Sequence, residues 1–276
     1  MKLIVDSGST KADWRLVGKE KGMESFKTRG IHPSFLSEEL AIEIKDAFLD
    51  ADIQQIQDVY FYGSGCMLNP NQQKVREFLQ QIFEESTIQV ESDLVAAGRA
   101  VYGEQSGLIV ILGTGSSVAY FDNSKLSYRV PSLGLMLGDE GGGAWLGKTL
   151  LNHYFTYEMP EGLRRSFDHE FSPDLASVLN ELNEVQSKGR YLATFVSFLF
   201  EHKKHPYVQE MLSEAFSMFF EKYVMKYPEK ERQRIGFIGS VAFFFERELK
   251  KQAAKYGLEY VSTVRYPIEV LTEYHI

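Results

Sequence analysis

Short alternating runs of apolar and polar residues open the chain, and apolar residues then recur at helical spacing. The runs at 3–5, 12–17 and 25–28 predict three strands, and Phe35, Leu36, Leu40, Ile44, Ala47 and Phe48 fall on one face of a helix over 34–50. A strand over 59–62, a helix over 71–83, a strand over 88–90 and a helix over 93–102 follow. Strands first, then strands alternating with helices, predict a mixed α/β sheet covered by helices. The plan restarts at Gly107 with strands over 108–112, 116–121 and 127–130, a mainly helical stretch over 141–226, a strand over 235–238 and a helix from about 241. Pro267 suits a first helical turn and predicts a last helix over 268–274. No Pro- or Ser-rich linker interrupts the chain, which puts the boundary between the two halves at the turn over 102–107.

The two halves share more than their element order. Leu3-Ile4-Val5-Asp6-Ser7-Gly8-Ser9-Thr10 is echoed by Val110-Ile111-Leu112-Gly113-Thr114-Gly115-Ser116-Ser117, with Gly8 over Gly115 and Ser9 over Ser116. Each copy predicts a β-hairpin with a small-residue tip. Glycines let backbone N–H groups approach an anion closely, and Ser and Thr add rotatable donors, so two such tips suit a polyphosphate. The copies differ in one respect: the first carries an acid, Asp6, where the second has Gly113.

Composition narrows the classes of partner. With 276 residues, 44% of them hydrophobic and 25% charged, the chain is ordinary for a globular protein and long enough for two cores. Thirty Lys and Arg against 38 Asp and Glu give a net charge of −8, which argues against an extended nucleic-acid groove. A single cysteine, Cys66, excludes an internal disulfide and fits a reducing cytoplasm. The first strand follows Met1-Lys2 directly, and no apolar run is long enough to span a bilayer, so neither a signal peptide nor a membrane is expected.

Candidate chemistry sits at strand ends. Asp6 reads either as an Asx-type turn residue or as a ligand for Mg²⁺, and Lys11 either as a solvated hairpin residue or as a point charge near a phosphate. In Val90-Glu91-Ser92-Asp93, Ser92 or Asp93 could cap the next helix, and Asp93 could instead accept a hydroxyl proton as a general base. The densest signal is Gly138-Asp139-Glu140-Gly141-Gly142-Gly143, two adjacent acids in a glycine loop before a helix; a capped turn needs one acid at most. Carboxylates there suit sugar hydroxyls, and the helix start offers N–H donors to an acyl or phosphoryl oxygen. Gly239 and Ser240 end a strand and start a helix, where small residues admit the face of a nucleobase. His32 is a loop residue within reach of a substrate role, and Cys66 reads as a small buried thiol rather than a nucleophile.

Taken in order, Asp6-x-Gly8-Ser9-Thr10-Lys11, Asp93 at a strand-to-helix step, Gly113-Thr114-Gly115-Ser116, Gly138-Asp139-Glu140-Gly141 and Gly239-Ser240 resemble the sugar-kinase, Hsp70 and actin ATPase superfamily. More narrowly they resemble its N-acetylglucosamine kinase branch, grouped with the BadF/BadG/BcrA/BcrD-type ATPases. The resemblance covers essentially the whole chain. It implies two ribonuclease-H-like domains, residues 1–105 and residues 106–266 with a helical insertion, around an interdomain nucleotide cleft, with the helix near 267–276 packing back onto the first.

The resemblance also implies roles for single residues. Ser7, Gly8, Ser9, Thr10, Lys11, Gly113, Thr114, Gly115 and Ser116 would hold the phosphates of ATP, and Gly239 and Ser240 would border adenosine. Asp6 would serve Mg²⁺, Asp93 would be the general base, and His32, Asp139 and Glu140 would face the sugar. The implied activity is transfer of a phosphoryl group from ATP to an amino sugar, foremost N-acetylglucosamine at its 6-hydroxyl. Its partner is a small sugar rather than nucleic acid or membrane; a homodimer is allowed but not required. The alternative is a sugar-independent ATPase that activates or regulates a protein partner.

This chain departs from the branch in carrying His32 where Asn is common, and Gly-Ser at 239–240 where Gly-Gly is common. Its one cysteine also departs from the dehydratase-activating ATPases of the group, which bridge an iron–sulfur cluster with two cysteines from each subunit.

Overall fold

In a computed structural model the chain is described throughout except at Ser9, Thr10, Lys19, Glu20, Lys21, Asp50, Asp52, Ser124 and Gln186. It divides into two compact units. The first comprises Met1–Gln105, Asn123–Lys125 and Tyr266–Ile276, and the second Ser106–Asp122 and Leu126–Arg265.

Alternation builds the first unit. Strands β1 (Lys2–Ser7), β2 (Lys11–Gly18) and β3 (Gly22–Arg29) are followed by helix α1 (Glu38–Ala47), strand β4 (Asp58–Gly63), helix α2 (Asn69–Gln80), strand β5 (Thr87–Ser92) and helix α3 (Asp93–Tyr102). The sheet runs β3-β2-β1-β4-β5, with β1 antiparallel to β2 and parallel to β4. Side chains alternate across a strand, so Leu3, Val5, Trp14, Leu16, Val59 and Phe61 share one face, where they form a buried core with Leu40, Ile44, Val75 and Leu79 of α1 and α2. The opposite face carries Lys2, Asp6, Asp13, Tyr60 and Tyr62.

The second unit repeats the sheet. Strands β6 (Gly107–Leu112), β7 (Ser116–Asp122) and β8 (Lys125–Ser127) are followed by helices α4 (Gly134–Leu137), α5 (Gly143–Phe155), α6 (Glu161–Phe171), α7 (Leu175–Glu184), α8 (Lys188–Ala193), α9 (Val196–Glu201) and α10 (Pro206–Lys222). Strand β9 (Arg234–Ile238), helices α11 (Ser240–Phe244) and α12 (Glu246–Lys255) and strand β10 (Glu259–Val264) complete it, in the sheet order β10-β9-β6-β7-β8. Phe198, Phe216, Phe219 and Phe220 of the helical stretch are fully buried and pack with Leu108, Val110 and Phe237 of the sheet.

The last helix, α13 (Pro267–His275), returns to the first unit, where it packs on α3, β1 and β2 over the polar face. Its His275 stacks on Tyr60 at 3.8 Å, hydrogen-bonds the Tyr62 hydroxyl at 2.7 Å, and accepts the Lys2 ammonium on its carbonyl at 2.5 Å. Burial, with Arg99 and Lys2 nearby, pushes the His275 imidazole down to about 4. No helix among the described residues is long and apolar enough to cross a membrane.

Several elements differ from the sequence expectation. Helix α1 starts at Glu38 rather than at 34, because the Ser37 hydroxyl accepts the Leu40 amide at 3.3 Å and a turn joining Phe35 N–H to His32 C=O precedes it. Helix α2 covers 69–80 rather than 71–83, with Pro70 in its first turn. The strand expected over 127–130 lies at Lys125–Ser127, and β10 was not expected at all: residues 260–264 are each partly buried, leaving no apolar alternation to read.

Candidate active site

In the first unit, three chain segments converge on the end of β1. The Ser7 hydroxyl accepts the Ile31 amide at 2.8 Å and is fully buried, while the Ser7 carbonyl accepts the Ser64 amide at 3.0 Å. Ser7 therefore fastens the segment that carries His32 through its side chain and the one that carries Ser64 through its backbone. The tip after it is closed by the Gly8 amide on the Lys11 carbonyl at 3.0 Å; Ser9 and Thr10, assigned with it to phosphate, lie outside the described residues.

Asp6 is partly buried just before this tip, and β2 places Asp13 directly across from it. Burial above all, then the nearby carboxylates of Asp93 and Asp13, pushes Asp6 up to about 7, with Lys11 opposing. Among the described residues no group of three or more His, Cys, Asp or Glu side chains could hold a metal ion by itself. A partly buried acid crowded by like charge, without a full protein cage among the described residues, fits Mg²⁺, which keeps several waters and is held by one or two carboxylates plus substrate phosphates.

The helix start at 93 resolves which residue caps. Ser92 Oγ accepts the Leu94 amide at 3.2 Å and donates to the Asp93 carboxylate at 3.1 Å, so the serine is the cap. Burial raises the Asp93 carboxyl above its ordinary value, with hydrogen bonds from Ser92, Leu94 N–H and its own N–H opposing.

His32 packs its ring over Gly65, where φ is +78° and a Cβ would lie 2.5 Å from Nε2. Its Nδ1 accepts the Ser34 amide at 3.2 Å, and burial lowers the pKa of the ring. Beside it, in the Gly63-Ser64-Gly65-Cys66 turn that ends β4, the buried Ser64 Oγ has no hydrogen-bond partner among the described residues. Cys66 is buried and its thiol is pushed up to about 12, by burial first and Asp93 second, which keeps it inert.

In the second unit the duplicated tip is clamped to helix α5. The Gly143 and Ala144 amides donate to the Gly113 and Thr114 carbonyls, both at 2.8 Å, and a Cβ on Gly142 would sit 2.7 Å from the Gly115 carbonyl carbon. These first helix N–H groups are thus spent on the tip, which corrects the expectation that they face an acyl or phosphoryl oxygen.

Asp139 accepts the Ser116 amide at 3.1 Å on Oδ1 and holds φ at +62°, an uncommon conformation for a non-glycine residue. Burial and, secondarily, Glu140 raise its pKa against that hydrogen bond. Glu140 is differently placed: Lys222 Nζ donates to one of its oxygens at 2.5 Å and the Tyr223 hydroxyl to the other. Burial raises its pKa, but these hydrogen bonds outweigh it and the net direction is down.

Gly239 sits against the same tip. At φ +110° it lies so close to β6 that a Cβ would meet the Leu112 carbonyl oxygen at 2.4 Å, while Ser240 is exposed. Gly189 of α8 also faces the tip, where a Cβ would lie 3.3 Å from the Thr114 methyl. Only tertiary packing reveals that approach.

No protein-family model matches the chain, and no curated protein does. Solved structures do. The crystal structure of the "Putative N-acetylglucosamine Kinase" from Porphyromonas gingivalis is 34% identical over 100% of this chain and 98% of that one, with a TM-score of 0.91. The chain belongs to the N-acetylglucosamine kinase-like family of sugar kinases. A second protein of that description, from Chromobacterium violaceum, shares the fold of this N-acetylglucosamine kinase-like chain at TM-score 0.72 and 17% identity, over 98% of this chain and 96% of that one. A ROK family glucokinase from Streptomyces griseus, solved with glucose and AMPPNP, shares it at TM-score 0.56 and 15% identity, over 95% and 93%.

Proposed function

We propose that this N-acetylglucosamine kinase-like protein transfers the γ-phosphoryl group of ATP to the 6-hydroxyl of an amino sugar, foremost N-acetylglucosamine. The observation that carries the reading is Asp93: a partly buried carboxylate with a raised pKa, relieved of capping by Ser92, at a strand end close enough to Asp6 to raise the pKa of that acid. The description of the Porphyromonas gingivalis relative supports the choice of sugar.

Phosphoryl transfer asks the protein mainly for positioning and charge. The Gly8, Gly113 and Ser116 amides are engaged within the protein, so the Thr114 and Gly115 amides of the second tip are assigned to phosphate, and Lys11 supplies a cation. Gly239 and Ser240 are assigned to adenosine. Asp6 would hold Mg²⁺, which when bound offsets charge on the phosphate oxygens. Asp93 takes the hydroxyl proton as the acceptor attacks, and its raised pKa brings it nearer the pH at which a base is most effective. His32, the Ser64 hydroxyl, which has no partner among the described residues, and Asp139 are assigned to sugar hydroxyls; Glu140, with both oxygens engaged, supports Asp139 by fixing the loop to α10.

A coupled assay with MgATP and N-acetylglucosamine, glucosamine, glucose, N-acetylmannosamine or N-acetylmuramic acid tests the reading. N-acetylglucosamine should give the highest kcat/KM. ATP hydrolysis indifferent to all five would replace this reading with that of a regulatory ATPase.

A further inference from the structure

Asp13 is an acid in an unfavourable place. It is 8% exposed, and the β1–β2 register sets it directly opposite Asp6, although like charges facing each other across an antiparallel pair destabilise it. An asparagine would keep the strand and remove the repulsion. What the carboxylate does have is Lys11: Nζ lies 2.7 Å from Asp13 Oδ2 and 5.5 Å from the centroid of the Tyr266 ring. Residues two apart on a strand share a face, so Lys11, Asp13 and Asp6 all project on the polar side of the first sheet. The Lys11 carbonyl closes the tip through the Gly8 amide, which fixes the root of the same side chain whose head Asp13 holds.

We infer that Asp13 is a positioning residue for the nucleotide, acting through Lys11. A lysine head on a four-carbon stem is a mobile point charge, and restraining it beforehand lowers the entropy lost when it meets a phosphate. The buried carboxylate supplies that restraint from one side and the Tyr266 ring from another. Asp13 touches neither phosphate nor sugar in this role. The inference rests on the assignment of Lys11 to phosphate, so the test separates the two.

The measurement is the affinity for Mg·AMPPNP by titration calorimetry, a readout independent of the acceptor sugar, with thermal midpoints recorded for each variant. Asp13→Asn should weaken Mg·AMPPNP binding by about 3- to 5-fold, and Asp13→Glu, which keeps the charge, should recover part of it. In a Lys11→Met background, Asp13→Asn should change the affinity by less than about twofold, because its effect passes through the lysine. An equal loss in both backgrounds would overturn the positioning role while leaving Lys11 at the phosphates. Unchanged binding by Lys11→Met alone would overturn both. A folded Asp13→Asn variant with native affinity would also sink the inference, and if that variant fails to fold, the affinity of Asp13→Glu with and without Lys11→Met decides in its place.

Discussion

Ser92 donates its hydroxyl to the Asp93 carboxylate at 3.1 Å while accepting the Leu94 amide at 3.2 Å, so one side chain both starts helix α3 and holds the proposed base. Asp93→Asn should leave Mg·AMPPNP binding intact and lower kcat by about 10²- to 10⁴-fold, the scale of a general base. Near-native turnover by that variant would end the assignment.

The same contact predicts a pH effect. The Ser92 hydrogen bond lowers the Asp93 pKa against burial, so Ser92→Ala should raise it further and move the acidic limb of the kcat/KM profile to higher pH. Loss of the cap should also cost about 1 kcal/mol of stability, read by denaturant unfolding. An unmoved acidic limb would mean that another group sets it.

Asp6 offers a stability test with a defined sign. Its folded pKa of about 7 lies above the ordinary carboxylate value, so the folded chain binds its proton more tightly than the unfolded one. The associated stability is complete below about pH 4 and is lost as pH rises through about 7. Asp6→Asn should therefore match the parent near pH 4 and exceed it on the order of 1 kcal/mol above pH 7 without Mg²⁺, a figure discounted for partial exposure. Its turnover should fall sharply at every pH. A variant less stable than the parent at pH 8 would contradict the crowding of carboxylates described for this strand end.

Glu140 should behave as a structural acid. Its net lowered pKa means that the stability it contributes is present above the ordinary glutamate range and fades as pH falls through the lowered value. Glu140→Gln and Tyr223→Phe should each cost about 1–3 kcal/mol at neutral pH. In a double-mutant cycle the two losses should be less than additive, because both alter the Tyr223–Glu140 hydrogen bond while Glu140→Gln also removes the charge paired with Lys222. If Glu140→Gln instead raises the sugar KM more than tenfold with native stability, Glu140 belongs among the sugar contacts.

Gly142 tests the clamp on the second tip. A Cβ there would overlap the Gly115 carbonyl, and backbone cannot move aside as a side chain can. Gly142→Ala should therefore weaken Mg·AMPPNP binding at least about tenfold and lower the thermal midpoint. Binding unchanged in that variant would separate the tip from the nucleotide.

How much of this was legible beforehand depends on whether the signal is local. Helix α3 was bounded to the residue because its start carries its own capping chemistry, and the duplicated hairpin stood out because small residues follow an apolar strand twice. The predicted mixed sheets hold, and the solved relatives bear out the superfamily. Asp13 escaped notice because an acid between Ala12 and Trp14 reads as an ordinary outward strand residue; its meaning comes from the register that sets it across from Asp6. Gly189 escaped for a similar reason, since a close backbone approach exists only once distant segments pack. Strand β10 lacked even a pattern, being half-buried along nearly its whole length.

Helix α13 bears on how the first unit is assembled. The bond from Lys2 to His275 joins positions 273 apart in sequence, so the polar face of the first sheet waits for a segment that follows the entire second unit. A fragment cut after Gln105 would leave Tyr60 and Tyr62 without the imidazole that covers them. Loop-closure entropy grows only slowly with length, so this late closure is inexpensive thermodynamically, yet it makes the order of folding matter. To isolate the first unit, an engineer would have to graft the residues of α13 behind Gln105.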